Sequence, residues 1–188
     1  KISSAMLEGR TVDFRLPEPI FRLAFAANPN NRLVQPVTTC PAAVLLEDNE
    51  EPFASAAPVL FLKRRKFALG MGCRKLAELR DLEAVAEEAL NTTGADWDNI
   101  SVLATANLKL EEPALKELAA KHRLPLAGYA AEELNSVAVP HPSEAAREKL
   151  GINSVSEAAA ILASGKGPLI TGKIKGNGAT AALAEVLK

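Results

Sequence analysis

The sequence predicts an α/β protein in which a three-layer α/β/α domain, built on a mostly parallel or mixed sheet, follows a small loop-rich region. Strand-like and helix-like segments alternate from about residue 60 onward, as they do in layered α/β domains. Residues 1–60 instead combine short apolar pieces with proline and asparagine. With 48% hydrophobic residues in a chain of 188, a sizeable core can form. We therefore expect two parts, residues 1–60 and 61–188.

The first region is expected to hold short strands between turns. The segments VDF at 12–14 and AAVLLED at 42–48 are apolar enough for short strands. NPNN at 28–31 and PFASAAP at 52–58 have the composition of turns or linkers. Such a pattern predicts a loop-rich region with little regular structure.

The second region contains a series of predicted strands. They are VLFL at 59–62, FALGM at 67–71, ISVLA at 100–104, PLAGY at 125–129 and PLIT at 168–171. The tail GATAALAEVLK, from residue 178, is ambiguous. Its alanines favour a helix, while the preceding turn KGNG can equally feed a final strand.

Two helices are predicted before residue 125. Apolar residues recur at helical spacing over 82–90, and Asp81 stands where an N-cap is expected. Pro113 suits the first turn of the second helix, because proline lacks the N–H that this position leaves unused. Both helices would cover the strands that precede them.

Two further helices are predicted after residue 140. Ser143 caps the first of them, and Gly151 ends it. In the segment SVSEAAAILASG, Ser154 and Glu157 have the spacing of a capping box. The simplest role for Glu157 is therefore that of a capping residue.

Charge and cysteine content limit the class of partner. The chain carries 22 basic and 23 acidic residues, so it lacks the broad positive field of a nonspecific nucleic-acid binder. No apolar run reaches the roughly 20 residues that span a bilayer. Cys40 and Cys73 form no disulfide framework, which favours a cytoplasmic location. We expect no nucleic-acid or membrane partner, and a homodimer is one option for the assembly.

The stretch GMGCRK turns from a strand into basic residues. Gly70 and Gly72 let the backbone turn sharply and a ligand approach closely. A helix starting soon after Arg74 would add free N–H groups that favour an anion. A dinucleotide fingerprint is not favoured, because Lys75 stands where its third glycine belongs.

Other motif interpretations are weaker. GPLITGK at 167–173 has the letters of a P-loop, but Ile174 replaces the hydroxyl residue that binds magnesium. Cys73 beside a basic residue could be a nucleophile with a lowered pKa, or a small buried side chain at a tight crossover. His122 and His141 are too isolated to be its partner or to form a metal site.

Basic residues follow the ends of two predicted strands. Arg74 and Lys173 both stand just past such ends, where open α/β sheets bind their ligands. Together they could hold a polycarboxylate. The alternative is a scatter of solvated surface charges, and the pattern alone leaves both open.

Three blocks of sequence resemble the carboxyl-terminal domain of the CbiG family of cobalamin biosynthesis, the cobalt-precorrin-5A hydrolases, and the related CobE proteins. They are GMGCRK, VLATANLKLEEPALKELAAKHRLPL and NSVAVPHPSEAAREKLGINSVSEAAAILASGKGPLITGKIKGNGATAALAE, and they span roughly residues 66–185. Residues 1–65 are similar to the variable middle region of that family. The family's amino-terminal domain, with its GHxGG type of loop, has no counterpart in this sequence. We therefore expect a fragment or a shortened relative.

The resemblance implies an enzyme that opens a δ-lactone on a cobalt-bound, polycarboxylated tetrapyrrole and releases acetaldehyde. The cobalt would belong to this substrate, so no resident cofactor and no metal site are expected. An alternative is a non-catalytic domain that binds or carries the corrinoid intermediate. A weaker alternative is an ordinary nucleotide-binding α/β module.

The resemblance also implies a set of substrate-binding residues. Cations would pair with the peripheral carboxylates, hydroxyls would add hydrogen bonds, and the glycine turn would let the ligand approach. The expected set is Gly70, Gly72, Cys73, Arg74, Thr105, Lys109, Ser143, Lys173 and Thr180. No catalytic residue stands out, because Glu112 suits a base but equally suits the acidic first turn of the Pro113 helix.

Overall fold

The computed structural model describes residues 12–15, 31–33, 43–46, 59–62 and 65–187. It divides the chain into two compact units, Lys1–Arg64 and Arg65–Lys188. Among the described residues, no helix combines the length and the apolar content that crossing a bilayer requires.

The first unit contains a parallel sheet of short strands in the order β2-β1-β3-β4. The strands are β1 (Val12–Arg15), β2 (Asn31–Leu33), β3 (Ala43–Leu46) and β4 (Val59–Leu62). β1 and β3 confirm the strands that we predicted at 12–14 and 42–48. Val12 is buried.

Two expectations for this unit differ from the structure. The strand at 59–62, which we expected in the second sheet, pairs along its whole length with β3. Asn31, predicted as part of a turn, begins β2. The rest of NPNN and the whole of PFASAAP lie outside the described residues.

The second unit contains a mixed five-stranded sheet in the order β7-β6-β5-β9-β8. Its strands are β5 (Phe67–Cys73), β6 (Ile100–Ala106), β7 (Leu126–Tyr129), β8 (Leu169–Lys175) and β9 (Ala179–Glu185). β5, β6 and β7 are parallel, and β9 runs antiparallel to both β5 and β8. The predicted strands at 67–71, 100–104, 125–129 and 168–171 are confirmed.

The ambiguous tail forms a strand. A tight turn at 176–178, in which Gly178 has a φ of +71°, reverses the chain directly after β8. β9 then pairs on both of its sides, and Ala181, Ala182 and Ala184 are fully buried. Pairing with two neighbours outweighs the helical preference of alanine.

Helices cover both faces of this sheet, which confirms the three-layer architecture. They are α1 (Leu79–Asn91), α2 (Pro113–Lys121), α3 (Ala131–Asn135), α4 (Glu144–Leu150) and α5 (Val155–Ala163). On one face α1 packs against the sheet and α2 packs against α1, while α5 covers β5, β6 and β9 on the other face. Each face therefore has its own core.

The two main cores differ in the size of their side chains. Leucines, Met71 and Ile100 fill the core between the sheet and helices α1 and α2. The core under α5 is rich in alanine, including Ala104, Ala158 and Ala159. Small side chains let α5 lie close to the sheet.

The helix caps agree with the sequence at α2 and α4 but not at α1 and α5. Pro113 begins α2, and Ser143 caps α4 by accepting a hydrogen bond from the Ala146 N–H at 3.4 Å. Asp81 was wrong as the N-cap of α1, because Glu78 holds that position. Ser154 stands at the N-cap of α5 but makes no capping hydrogen bond. The capping-box prediction for Glu157 is therefore also wrong.

Two aromatic rings stack at the carboxyl end of α2. The His122 ring lies 3.6 Å from the Trp97 ring at an interplanar angle of 12°, and its side chain is 17% exposed. Among the described residues, its Nε2 atom is buried without a hydrogen-bond partner. Burial, helped by the charge of Lys121, lowers the pKa of His122 despite the opposing carboxylates of Glu83 and Glu87.

Acidification should therefore destabilise the fold through His122. An unfolded histidine titrates at about 6.5, so the unfolded chain binds more protons than the folded chain as the pH falls through that value. We expect the contribution of His122 to the unfolding free energy to be present above pH 6.5 and to be lost as the pH drops toward 5. Urea unfolding at pH 7.5 and 5.5 measures it. A His122→Phe variant, which keeps the ring stack but cannot titrate, should lose less stability over this interval, and an equal loss would contradict the prediction.

Candidate functional site: a basic cleft at the carboxyl edge of the sheet

A cleft of about 400 Å³ opens at one edge of the second sheet. β8 runs in the same direction as β5, β6 and β7, because β9 is antiparallel to both β5 and β8. The carboxyl ends of four strands therefore meet at one edge, where α/β proteins usually bind ligands. Most of the predicted site residues line this cleft, namely Gly72, Cys73, Arg74, Lys109, Ser143, Lys173 and Thr180.

Two predicted residues lie outside the cleft. A Cβ atom added to Gly70 would stand 2.0 Å from the Ser156 carbonyl oxygen, so this glycine serves the contact between β5 and α5. Thr105 is fully buried, and its hydroxyl donates to the Met71 carbonyl at 2.8 Å. Both are structural in this fold, because neither lines the space that a ligand would enter.

The turn after β5 has no helix directly behind it. α1 begins at Leu79, five positions after Arg74, so its free N–H groups do not directly follow Arg74. Gly72 instead gives room at the cleft floor, because an added Cβ would stand 2.8 Å from the Thr180 hydroxyl. The Thr180 hydroxyl donates to the Gly72 carbonyl at 3.3 Å.

Arg74 is held in position by two elements. Its backbone N–H donates to the Gly178 carbonyl at 2.7 Å, and its guanidinium lies 3.8 Å from the Asp81 carboxylate. Asp81 also accepts hydrogen bonds from the Asn177 amide at 3.2 and 3.3 Å. The Arg74 side chain is 56% exposed, so donors of its guanidinium remain open to a ligand.

Lys109 and Glu112 form an ion pair beside the cleft. The Lys109 Nζ atom lies 3.1 Å from Glu112 Oε1, and Glu112 Oε2 accepts the Leu76 N–H at 3.1 Å. Burial raises the pKa of Glu112, but these hydrogen bonds and the charges of Lys109 and Lys75 outweigh it, so the pKa is lowered. A general base works best with a pKa near neutrality, and the structure therefore does not favour Glu112 in that role.

The surroundings of Cys73 favour its thiol form over the thiolate. Burial raises the pKa of Cys73 above its ordinary value, Lys109 opposes this effect, and Glu112 adds to it. The thiolate is the reactive form of cysteine. The structure thus favours the small buried side chain over the nucleophile.

Alkylation should reveal this protection. We expect N-ethylmaleimide at pH 7 to label Cys73 at least about five-fold more slowly than free cysteine, and urea unfolding should remove the difference. Peptide mass spectrometry separates Cys73 from Cys40. Labelling of folded Cys73 at the rate of free cysteine would contradict the raised pKa.

The opposite wall of the cleft comes from α4 and β8. Ser143 precedes α4, and Lys173 lies inside β8, which extends to Lys175 and is longer than the predicted strand. Burial lowers the pKa of Lys173, the charge of Glu157 opposes this, and Lys175 adds to it. The Lys173 Nζ atom donates to the His141 carbonyl.

The sequence-based set missed several residues that line the cleft. Lys149 adds a cation, and Ala145, Ala146 and Leu150 of the same helix add apolar surface. These residues recur at a spacing of three to four, which places them on one face of α4. Helical spacing downstream of the Ser143 cap was therefore a signal that could have identified them.

The cleft combines positive charge with apolar surface. Its charged lining residues are the cations Arg74, Lys75, Lys109, Lys149 and Lys173. An anionic ligand with an apolar body suits such a surface. A second hollow, of about 510 Å³, is lined by Phe67, Thr92, Thr93, Ile170, Thr171, Gly172 and Glu185. None of its described lining residues is a cation, so the charge pattern favours the cleft.

No metal centre is evident in the part of the chain that the structure describes, where three His, Cys, Asp or Glu side chains nowhere come together as ligands.

Known proteins resemble the second unit. A family profile described as "Cobalamin synthesis G C-terminus" matches residues 67–184. A protein named cobalt-precorrin-5A hydrolase from Priestia megaterium is 33% identical over 117 residues, which are 62% of this chain but 31% of that protein. Protein CobE from a Sinorhizobium species is 34% identical over 119 residues, 62% of this chain and 77% of that protein.

A solved structure has the same fold. The crystal structure of CobE, described as a protein from the cobalamin (vitamin B12) biosynthetic pathway, matches with a TM-score of 0.61 and 30% identity. The match covers 64% of this chain and 90% of that one. The likeness thus falls on the unit that carries the cleft.

Proposed function

The chain belongs to the cobalamin synthesis G C-terminus family, and on that premise we propose that its cleft binds a cobalt-bound, polycarboxylated tetrapyrrole. As part of a cobalt-precorrin-5A hydrolase, this binding would serve a reaction that opens a δ-lactone and releases acetaldehyde. The cobalt enters with the substrate, and the proposal includes no resident cofactor.

One observation carries the proposal: cations from separate segments of the chain converge on one cleft, and no acidic side chain among the described residues lines it. Arg74 follows β5, Lys109 follows β6, and Lys173 lies in β8, yet all of them line the same hollow. Like charges repel, so a surface that gathers them gains stability when an anion binds. A ligand with several carboxylates matches this charge pattern.

The size of the cleft limits how the ligand sits. Ligand pockets range over about 300–1,000 Å³, and this cleft, at about 400 Å³, is near the lower end. A tetrapyrrole with acidic arms is larger than a drug-sized ligand. We therefore expect the cleft to receive one edge of the macrocycle, with Val155 and Leu150 against the ring and the cations on its carboxylate arms.

The residues of this cleft are suited to binding and orientation. Hydrolysis of a lactone needs a positioned water and donors for the oxyanion. The Ser143 hydroxyl lines the cleft with the cations, and its contact with the Ala146 N–H leaves its own proton free to donate. Carbon–carbon cleavage would draw on the conjugated macrocycle as the electron sink. The chain therefore contributes positioning, and no residue is proposed as acid or base.

A non-catalytic role is the second candidate. The chain spans 31% of the hydrolase from Priestia megaterium but 77% of CobE, so a protein little longer than this unit exists by itself. Glu112, the carboxylate nearest to the cleft cations, has a lowered pKa and is a poor base. Both facts favour a domain that binds or carries the corrinoid intermediate.

A pair of matched corrins tests the binding. Cobyrinic acid is a cobalt corrin whose side chains end in carboxylates, and in cobinamide those acids are amides. We expect the 188-residue chain to bind cobyrinic acid at low salt, with an absorbance change, and to bind cobinamide at least about tenfold more weakly. Equal affinity for both, or no binding of either, would refute recognition through carboxylates.

Acetaldehyde separates the two candidates. If this chain is catalytic by itself, incubation with authentic cobalt-precorrin-5A should release acetaldehyde in step with loss of the lactone. Tight binding of the substrate without acetaldehyde would assign the chain the binding or carrier role.

A further inference from the structure

A fully buried carboxylate lies behind the cleft wall. Glu157, in the first turn of α5, is 0% exposed. Its Oε1 atom accepts a hydrogen bond from the Lys173 N–H at 3.0 Å and is hydrogen-bonded to His141 Nδ1 at 2.7 Å. Its Oε2 atom accepts the His141 N–H at 3.1 Å. Of these two partners, Lys173 lines the cleft, and His141 stands two positions before Ser143, which also lines it.

A carboxyl side chain satisfies all of these partners. Two of them are backbone N–H groups, which can only donate, and together they contact both oxygens of Glu157. A glutamine would turn its NH₂ group toward one of these donors and leave it unpaired. Breaking such a buried set is costly, because the remaining polar groups have no water to turn to.

These contacts fix two separate segments to each other. The segment 140–143 leads into α4, and Lys173 belongs to β8, yet Glu157 holds the backbone of both. The Lys173 Nζ atom then donates to the His141 carbonyl. The fit is close, because a Cβ atom added to the adjacent Gly172 would stand 3.1 Å from the His141 ring.

We infer that Glu157 is a positioning residue, which acts through His141 to hold the Lys173 amine on the cleft wall where it meets a ligand carboxylate. The inference rests on the proposed function for the identity of the ligand. The position of the Lys173 amine does not depend on the proposed function, because the contacts of Glu157 determine that position in the protein itself. Glu157 touches no ligand in this scheme, since it is fully buried.

Lysine reactivity tests the positioning without any ligand. We expect Glu157→Gln to raise the rate at which acetic anhydride acetylates Lys173, relative to the exposed Lys175, by about threefold or more. Ser156→Ala is the matched control, because Ser156 is also fully buried in α5 but its hydroxyl has no partner among the described residues. It should leave the ratio of the two rates unchanged. An unchanged ratio in Glu157→Gln would overturn the inference.

A second variant covers the case in which Glu157→Gln does not fold. The His141 side chain is 63% exposed, so His141→Ala should fold while it removes the ring contact to Glu157. We expect it to raise the relative acetylation of Lys173 by a smaller factor, about twofold. No increase in this variant would count against the inference in the same way.

A double-mutant cycle then links the positioning to binding. We expect Glu157→Gln to weaken cobyrinic acid binding by about tenfold, and to add less than about twofold when Lys173 is already replaced by glutamine. An equal loss in both backgrounds would mean that Glu157 supports the fold generally and does not act through Lys173. If cobyrinic acid binds no variant, including the unmodified chain, the proposed function fails, while the acetylation ratios still decide the role of Glu157.

Discussion

Replacing Arg74 and Lys173 together by glutamine is expected to weaken cobyrinic acid binding by about 100-fold, or about 2.7 kcal/mol. The two side chains reach the cleft from β5 and β8. A hydrogen bond to a charged group contributes about 1.5–3 kcal/mol, and the half-exposed Arg74 falls at the low end of this range. Each single change should cost about tenfold. Absorbance titration at low salt measures the three affinities.

A matched pair of lysines provides the control. Lys116 and Lys121 lie on α2, are about half exposed, and pair with Glu111 and Glu83 away from the cleft. Their replacement by glutamine changes the net charge by the same amount but should alter the affinity by less than about threefold. A similar loss in both double variants would show that general attraction, and not the cleft, binds the ligand.

Gly70→Ala should destabilise the second unit by about 3 kcal/mol. The added Cβ atom would stand 2.0 Å from the Ser156 carbonyl oxygen and 2.5 Å from the Ala160 nitrogen. These are backbone atoms of α5, so no side-chain rotation can relieve the clash, and the helix must move away from the sheet. Overpacking of a core usually costs about 1–3 kcal/mol, and a clash with backbone belongs at the upper end. Urea unfolding followed by circular dichroism measures the loss.

Gly94→Ala separates the clash from the general effect of losing a glycine. Gly94 has a φ of +65°, but an added Cβ would meet nothing within 4 Å. We expect a cost of about 1–2 kcal/mol from the left-handed backbone alone. If Gly70→Ala costs no more than Gly94→Ala, α5 does not lie against β5 as closely as the structure has it.

Much of the fold could be predicted from local patterns. The strands from Phe67 and from Ile100 are apolar runs of mostly buried residues, and the helix over 82–90 has a clear apolar face. These elements are determined by burial along one segment. The tail after Gly178 could not be assigned in this way, because its alanines are compatible with either structure until two partner strands are present.

The site was predictable where it follows strand direction. Arg74 and Lys173 were expected to lie together because the carboxyl ends of strands share an edge, and they line one cleft. Thr105 was misplaced because a hydroxyl near a strand end gives no sign of whether it faces a ligand or, as here, the Met71 carbonyl. The role of Glu157 was missed for a similar reason, because its partners are 16 residues away in either direction.

The position of β9 has a consequence for biosynthesis of the protein. This strand is the last of the sheet to leave the ribosome, yet it lies between β5 and β8 and not at an edge. Until residues 179–185 have been synthesised, β5 lacks a partner strand on one side, and the turn at 176–178, which accepts the Arg74 N–H, has not formed. Gly178 and Thr180 line the cleft, so the cleft is complete only after β9 has been synthesised, and a chain that stops before this strand would lack part of the lining.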